Sequence, residues 1–243
     1  MILEPIWGRP ILSTEKTLVF ADLHLGMEYE LLNSGISVPS QTNKILSKII
    51  SSIREFNPKD VVFLGDIKHN IPMMSAQERR EIPKFFGELS DLVDIYVVKG
   101  NHDGNLTEIL PRRENVFLYD GKGFSYRGVG FFHGHAYPSE EVISCKVGVM
   151  AHNHPVVKLT DGLGAVKTLR VWVRAPVIKE RLLERYDKVN MGELLVMPAF
   201  NDLCGGMAVN VYKGKFLGPL KGKIRLKDAR AYLLDGTDLG HIF

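Results

Sequence analysis

Lys16-Thr17-Leu18-Val19-Phe20-Ala21-Asp22-Leu23-His24 sets a short apolar run directly ahead of a carboxylate and an imidazole. A run of this length, rich in β-branched and aromatic residues, predicts a buried strand whose polar residues begin where the strand ends. The arrangement recurs down the chain. Val61-Val62-Phe63-Leu64 leads into Gly65-Asp66, and Ile95-Tyr96-Val97-Val98 leads into Gly100-Asn101-His102-Asp103. Gly128-Val129-Gly130-Phe131-Phe132 leads into His133-Gly134-His135, and Val147-Gly148-Val149-Met150 into His152-Asn153-His154.

Between the first three strands the pattern is helical. Pro39-Ser40 opens a stretch with Ile45, Ile49 and Ile53 on one face, and Asn57-Pro58 closes it. A second helix is expected from Ala76 to Leu89, kinked or split at Pro83. Apolar strands alternating with helices predict an α/β fold with a buried, largely parallel sheet. Ligands of such sheets bind beyond the carboxyl ends of the strands, where all five polar clusters fall.

From Val116 onward strands dominate. Val116–Tyr119 and Gly128–Phe132 are expected to flank a Gly-rich turn at Asp120-Gly121-Lys122-Gly123, with a short helix near Ser139–Ser144. Later strands are expected at Lys167–Val173, Glu193–Met197 and Gly206–Tyr212. With no repeat, low-complexity tract or linker in view, residues 1–243 read as one domain. Its core over 1–155 carries the clusters, and 156–243 is a β-rich completion with a basic surface.

Composition excludes several classes. The chain has 243 residues, 45% hydrophobic and 24% charged, as in ordinary globular proteins. No apolar run approaches the roughly 18 to 20 residues of a membrane span. Met1-Ile2-Leu3-Glu4 lacks the basic and apolar regions of a signal peptide. Two isolated cysteines, Cys145 and Cys204, make no disulfide framework, so a reducing, cytoplasmic setting is expected. The net charge of +3 is uneven: residues 156–243 hold 15 Lys+Arg against 9 Asp+Glu, and the remainder 16 against 19. A basic section behind an acidic one suits a polyanionic substrate, although solubilising lysines give the same count.

Asp22 and His24, one residue apart, can enter one site from one loop. Asp66 follows a glycine that permits close backbone approach, and a lone carboxylate there can bridge two cations. Asn101 offers an amide oxygen, and His133, His152 and His154 offer imidazole nitrogens. Mixed nitrogen and oxygen donors suit Mn²⁺, Fe²⁺, Zn²⁺, Co²⁺ or Ni²⁺ better than Mg²⁺ or Ca²⁺. Any one cluster alone is more often a capped turn or a hydrogen-bonded histidine, so the weight lies in the ordered set.

That ordered set, D-X-H, GD, GNHD, HGH and H-X-H, resembles the calcineurin-like metallophosphoesterases over roughly Lys16–Pro155. The resemblance implies a four-layer fold, a central β-sandwich flanked by helices. It implies two divalent metal ions, manganese foremost: one on Asp22, His24, Asp66 and His154, the second on Asp66, Asn101, His133 and His152. His102 would stand over the scissile phosphate as general acid, oriented by Asp103. Where the family has glycine before the last H-X-H, this chain has Ala151, which puts the local backbone in question. His135 is a spare imidazole, read as an alternative ligand, a supporting or structural group or, with Lys68 and His69, a substrate contact.

Gly65-Asp66-Ile67-Lys68-His69, Leu195-Val196-Met197-Pro198-Ala199-Phe200 and Gly205-Gly206 are similar to the SbcD-related phosphoesterases of archaea. They are also similar to bacterial phosphoesterases associated with DNA ligase and helicase. This branch implies a phosphodiesterase or nuclease acting on DNA or RNA in DNA repair, with a second copy of the chain and a DNA-processing protein as further partners and no membrane. A phosphatase or pyrophosphohydrolase of small nucleotides is the alternative, and a non-catalytic scaffold is disfavoured by the full ligand set. Lys68 and His69 either contact a substrate phosphate or follow the aspartate on an exposed loop. Lys213–Arg230, with seven basic residues against Asp228, either tracks a phosphate backbone or packs through Phe216, Leu217 and Leu220.

Overall fold

The structure, a computed structural model, describes residues 3–211 and 216–241. The opening sheet runs β1 (Glu4–Pro5), β2 (Leu12–Thr14), β3 (Thr17–Ala21), β4 (Asp60–Leu64), β5 (Asp94–Val98) and β6 (Val116–Tyr119), in that spatial order. Strands β3 to β6 are mutually parallel, as continuous apolar runs linked by helices demand. Helix α1 spans Met27–Asn33, α2 Thr42–Phe56 and α3 Ala76–Ser90. Asn57 caps α2 in the left-handed region at φ 45°, and Ser75 caps α3 through a reciprocal capping box with Glu78. Pro83 does not split α3. The helix continues past it, because burial of Ile82, Phe85, Phe86 and Leu89 on the sheet outweighs one missing hydrogen bond.

The second sheet contains β7 (Phe124–Tyr126), β8 (Val129–Phe132), β9 (Val147–Met150), β10 (Pro155–Thr160), β11 (Val166–Pro176), β12 (Glu193–Val196) and β13 (Met207–Ala208). Its order is β13-β10-β11-β12-β9-β8-β7, with β14 (Arg230–Leu233) on β11 and β15 (Asp238–Gly240) on β14. The two strands expected on either side of the Gly-rich turn at Asp120–Gly123 do not pair with each other. Val116–Tyr119 belongs to the first sheet and Val129–Phe132 to the second, so the Gly-rich segment crosses between sheets. The true hairpin is β7–β8, turned by Arg127 and Gly128 at φ 49° and 78°, a pair of positive angles that suits a two-residue turn. Of the strand expected over Gly206–Tyr212 only Met207–Ala208 forms, and Tyr212 lies outside the described residues.

Side chains alternate across β3, so Leu18 and Phe20 meet α2 and α3 while Val19 and Ala21 face the second sheet. The inter-sheet layer joins Val19, Val62, Leu64 and Val98 to Phe131, Val149, Trp172 and Leu195. Beyond the second sheet, short α4 (Glu140–Ile143) and α5 (Lys179–Leu182) close a third apolar layer around Met150, Val171 and Val196. The layers are therefore helix, sheet, sheet, helix, a mixed α/β sandwich. Among the described residues no helix is long and apolar enough to cross a membrane.

Candidate metal centre

Register brings the clusters together. Ala21, Leu64 and Val98 are level across β3, β4 and β5, and Phe132 and Met150 are level across β8 and β9. Both parallel sets release their next residues at one edge of the sandwich. Those residues bend sharply. Among the described residues nine non-glycine positions have positive φ, and five are Asp22 (53°), His24 (42°), Asp66 (47°), His152 (67°) and His154 (40°). Each such position costs about 1 kcal/mol or more and persists only where surroundings enforce it, and five of the nine gather in these loops. Glycines supply the remaining room. A Cβ on Gly100 would stand 2.0 Å from Asp66 Oδ1, and one on Gly65 2.2 Å from the His133 ring.

Donor atoms of Asp22, His24, Asp66 and His154 lie within 4.8 Å of one another, as do those of Asp66, His133 and His152. Asp66 belongs to both groups: its Oδ2 is 3.5 Å from His24 Nε2 and 3.5 Å from His133 Nε2. Asp22 Oδ1 lies 3.1 Å from His133 Nε2 and 3.3 Å from His154 Nε2, while Asp22 Oδ2 is buried with no hydrogen-bond partner. His24 Nε2 and His154 Nε2 face each other at 3.4 Å. Asn101 stands solvent-exposed on the turn between Gly100 and His102.

Protons and charges respond to this crowding. Burial alone would raise the Asp22 carboxyl, but His154 and His133 hold it far below the usual carboxylate range. Burial opposes charge on His154, yet Asp22 lifts it to about 9. Burial keeps His24 well below the usual imidazole range and, with His133, lowers His152 to about 4. An orphaned buried carboxylate oxygen, facing imidazole nitrogens and an all-nitrogen-and-oxygen donor set fit divalent cations. Cys204 lies close enough to join His24 and His154, but burial, with Asp22 and Asp66 nearby, pushes its thiol up and keeps it protonated.

A ring of support holds these side chains. His69 Nε2 meets the Glu30 carboxylate, and His69 Nδ1 lies 3.1 Å from His24 Nδ1. Since a carboxylate only accepts, neutral His69 carries its proton on Nε2. Its Nδ1 then accepts from His24 Nδ1–H, which leaves the His24 Nε2 lone pair for the site. His135 stands in the same relation to His133, Nδ1 to Nδ1 at 2.9 Å. Asn201 donates to the carbonyls of Leu23 at 2.8 Å and His24 at 3.4 Å, fixing the loop from below. The sequence motif quoted above stopped at Phe200, one residue short of it.

Three expectations are corrected. Asp103 does not orient His102. Its oxygens accept from the backbone amides of Ile67 (2.9 Å), Lys68 (3.1 Å) and Gly100 (2.7 Å), and His102 Nδ1 instead meets the His69 carbonyl. Lys68 and His69 are not on an exposed loop: both are buried, and Lys68 Nζ donates to the Asn70 carbonyl. Finally, Ala151, the residue after β9, lies outside the left-handed region with its N–H on the His133 carbonyl at 3.1 Å, so a methyl group is accommodated. In the basic segment Phe216 and Leu220 are buried and Leu217 is exposed, while Lys213 and Lys215 lie outside the described residues.

The sequence pattern of the calcineurin-like phosphoesterases matches residues 15–185. Among solved structures the chain is similar to the Pseudomonas putida nuclease MPE, at a TM-score of 0.56 and 16% identity over 96% of each chain. It is also similar to Yfce, a phosphoesterase from E. coli, at a TM-score of 0.36 and 16% identity over 60% of this chain and 74% of that one. Comparison with curated proteins gives no significant sequence match.

Proposed function

The chain belongs to the calcineurin-like phosphoesterases, a family of metal-dependent hydrolases, and on that premise we propose that it cleaves phosphodiester bonds of DNA or RNA with two divalent ions, manganese foremost. One observation carries the reading: a single carboxylate, Asp66, is common to two groups of donor atoms. In this reading Asp22, His24, Asp66 and His154 hold one ion, and Asp66, His133, His152 and Asn101 hold the other. Bound there, the ions supply Lewis acidity toward phosphoryl oxygens and activate the attacking water. His102 donates the leaving-group proton, and Asp103 shapes the turn that presents it. The nucleic-acid substrate extends to this chain the activity class of the Pseudomonas putida nuclease, and the basic second half supports it. We place the chain with the SbcD-related and ligase- or helicase-associated branch on the resemblance of Gly65–His69, Leu195–Phe200 and Gly205-Gly206.

A substrate panel with Mn²⁺ tests the proposal: single- and double-stranded DNA, RNA, cyclic nucleotides and nucleotide sugars. Cleavage of a polynucleotide whose binding falls steeply with salt supports it. Turnover confined to small nucleotides, with little salt dependence, overturns the substrate class. A protein that takes up no metal and stays inactive on bis-p-nitrophenyl phosphate overturns the catalytic reading as well.

The supporting ring makes its own prediction. His69→Phe keeps the ring volume and the backbone carbonyl but removes both nitrogens, so His24 loses its tautomer lock. Divalent-metal affinity is expected to fall about 10- to 100-fold, measured calorimetrically on the metal-free protein. Unchanged affinity would reduce the Glu30–His69–His24 chain to simple packing.

A further inference from the structure

The basic segment of the second half returns to the metal centre. Gly218 packs so closely on the H-G-H loop that a Cβ there would stand 2.1 Å from the Gly134 carbonyl oxygen. Next to it, Leu217 N–H donates to Asn153 Oδ1 at 2.7 Å, between His152 and His154. These contacts seat the segment leading to Lys223 directly on loops that carry candidate ligands. Lys223 Nζ then lies 5.9 Å from the centre of the Tyr137 ring, and the Arg185 guanidinium lies over the same ring at 4.1 Å. Tyr186 flanks that guanidinium at 5.9 Å and is itself anchored, its hydroxyl donating to the Pro138 carbonyl at 2.6 Å.

Tyr137, Arg185 and Lys122 line a concavity of about 620 Å³ whose acidic lining, among the described residues, is Glu140 alone. Arg170, Arg174 and Arg230 each face a carboxylate, but among the described residues Arg185, Lys122 and Lys223 have no ion-pair partner. The Arg185 guanidinium lies over the Tyr137 ring and also meets the Tyr186 side chain in a hydrogen bond, which fixes its position, and its remaining N–H groups suit contact with a phosphate. Unpaired cations so held, with little acid around them, complement a polyanion rather than an apolar or cationic partner.

We propose that this surface binds the nucleic-acid strand flanking the scissile phosphodiester, Arg185 and Lys223 each engaging a backbone phosphate. The inference rests on the polynucleotide reading given above and locates its binding path. Tyr137 is four residues beyond His133, so the platform lies within about 14 Å of the centre along the chain. In duplex geometry, with a charge every ~3.4 Å of axis on each strand, that span is about four nucleotides.

The test uses the full chain and a fluorescent single-stranded oligonucleotide, titrated in EDTA so that no turnover intervenes. Arg185→Ala/Lys223→Ala is expected to weaken binding about tenfold and to make the slope of log Kd against log salt shallower by about 1.4, or roughly 0.7 per lost phosphate contact. With Mn²⁺, KM for the oligonucleotide rises far more than KM for bis-p-nitrophenyl phosphate, and Arg185→Lys recovers part of the loss. Wild-type binding with affinity and slope unchanged in the double variant overturns the surface and leaves the polynucleotide reading standing. Wild-type protein that shows no salt-dependent binding overturns that reading, and the surface with it.

Discussion

Asp66→Asn is expected to strip the centre of divalent metal and to lower kcat by about 10³-fold or more. Removing one transition-state donor typically costs about 10²- to 10³-fold, and here both groups of donors depend on the same carboxylate. Asparagine keeps the size of the side chain and can still accept the His102 amide, now bonded to Asp66 Oδ1 at 2.9 Å. It loses the negative charge, and its amide hydrogens would face the Nε2 atoms of His24 and His133, each 3.5 Å from Oδ2. Fold and stability should survive, because no apolar packing changes. The decisive measurements are metal content by mass spectrometry alongside near-ultraviolet circular dichroism. Asp22→Asn is the comparison: Asp22 sits in one group only, so it should retain more metal than Asp66→Asn. A folded Asp66→Asn protein with full metal content and undiminished turnover would refute the shared-carboxylate reading.

That Asp66 could be singled out from sequence has a physical reason. Strands β3, β4 and β5 are covered on both faces, so they read as unbroken apolar runs, and any polar residue at their ends stands out. Helix α2 was legible through its four-residue apolar spacing. Helix α1 was not, because seven residues offer too few turns for a period, and its one buried side chain is Glu28. The β7–β8 hairpin was hidden by its three-residue first strand, and the stronger Gly-rich signal beside it marks a crossing between sheets. In the site, residue types were readable and their orientation was not. Asp103 follows His102 in sequence, yet its carboxylate turns inward to three backbone amides. Support from Glu30 closes over 39 positions to His69, and that from Asn201 over 177 to His24. Contacts that distant leave no local pattern.

His102→Ala should keep its metal and slow hydrolysis of substrates with poor leaving groups by about 10²- to 10⁴-fold. The imidazole Nδ1 meets the His69 carbonyl, and a carbonyl only accepts, so Nδ1 carries a proton in either charge state. Nε2 is therefore the nitrogen that can hand a proton to a departing alkoxide. The ring lies 4.9 Å from the His24 ring and 5.4 Å from the His69 ring, beside the first donor group, and remains partly open to solvent. A p-nitrophenolate leaves with little help, so the deficit on bis-p-nitrophenyl phosphate should be much smaller than on an alkyl diester or an oligonucleotide. Equal deficits across leaving groups would remove the acid role, and loss of bound metal would recast His102 as a ligand. The His69→Phe protein sharpens the distinction. It retains the carbonyl that orients His102, so it should lose metal affinity while keeping the wild-type dependence on leaving group once metal is saturating.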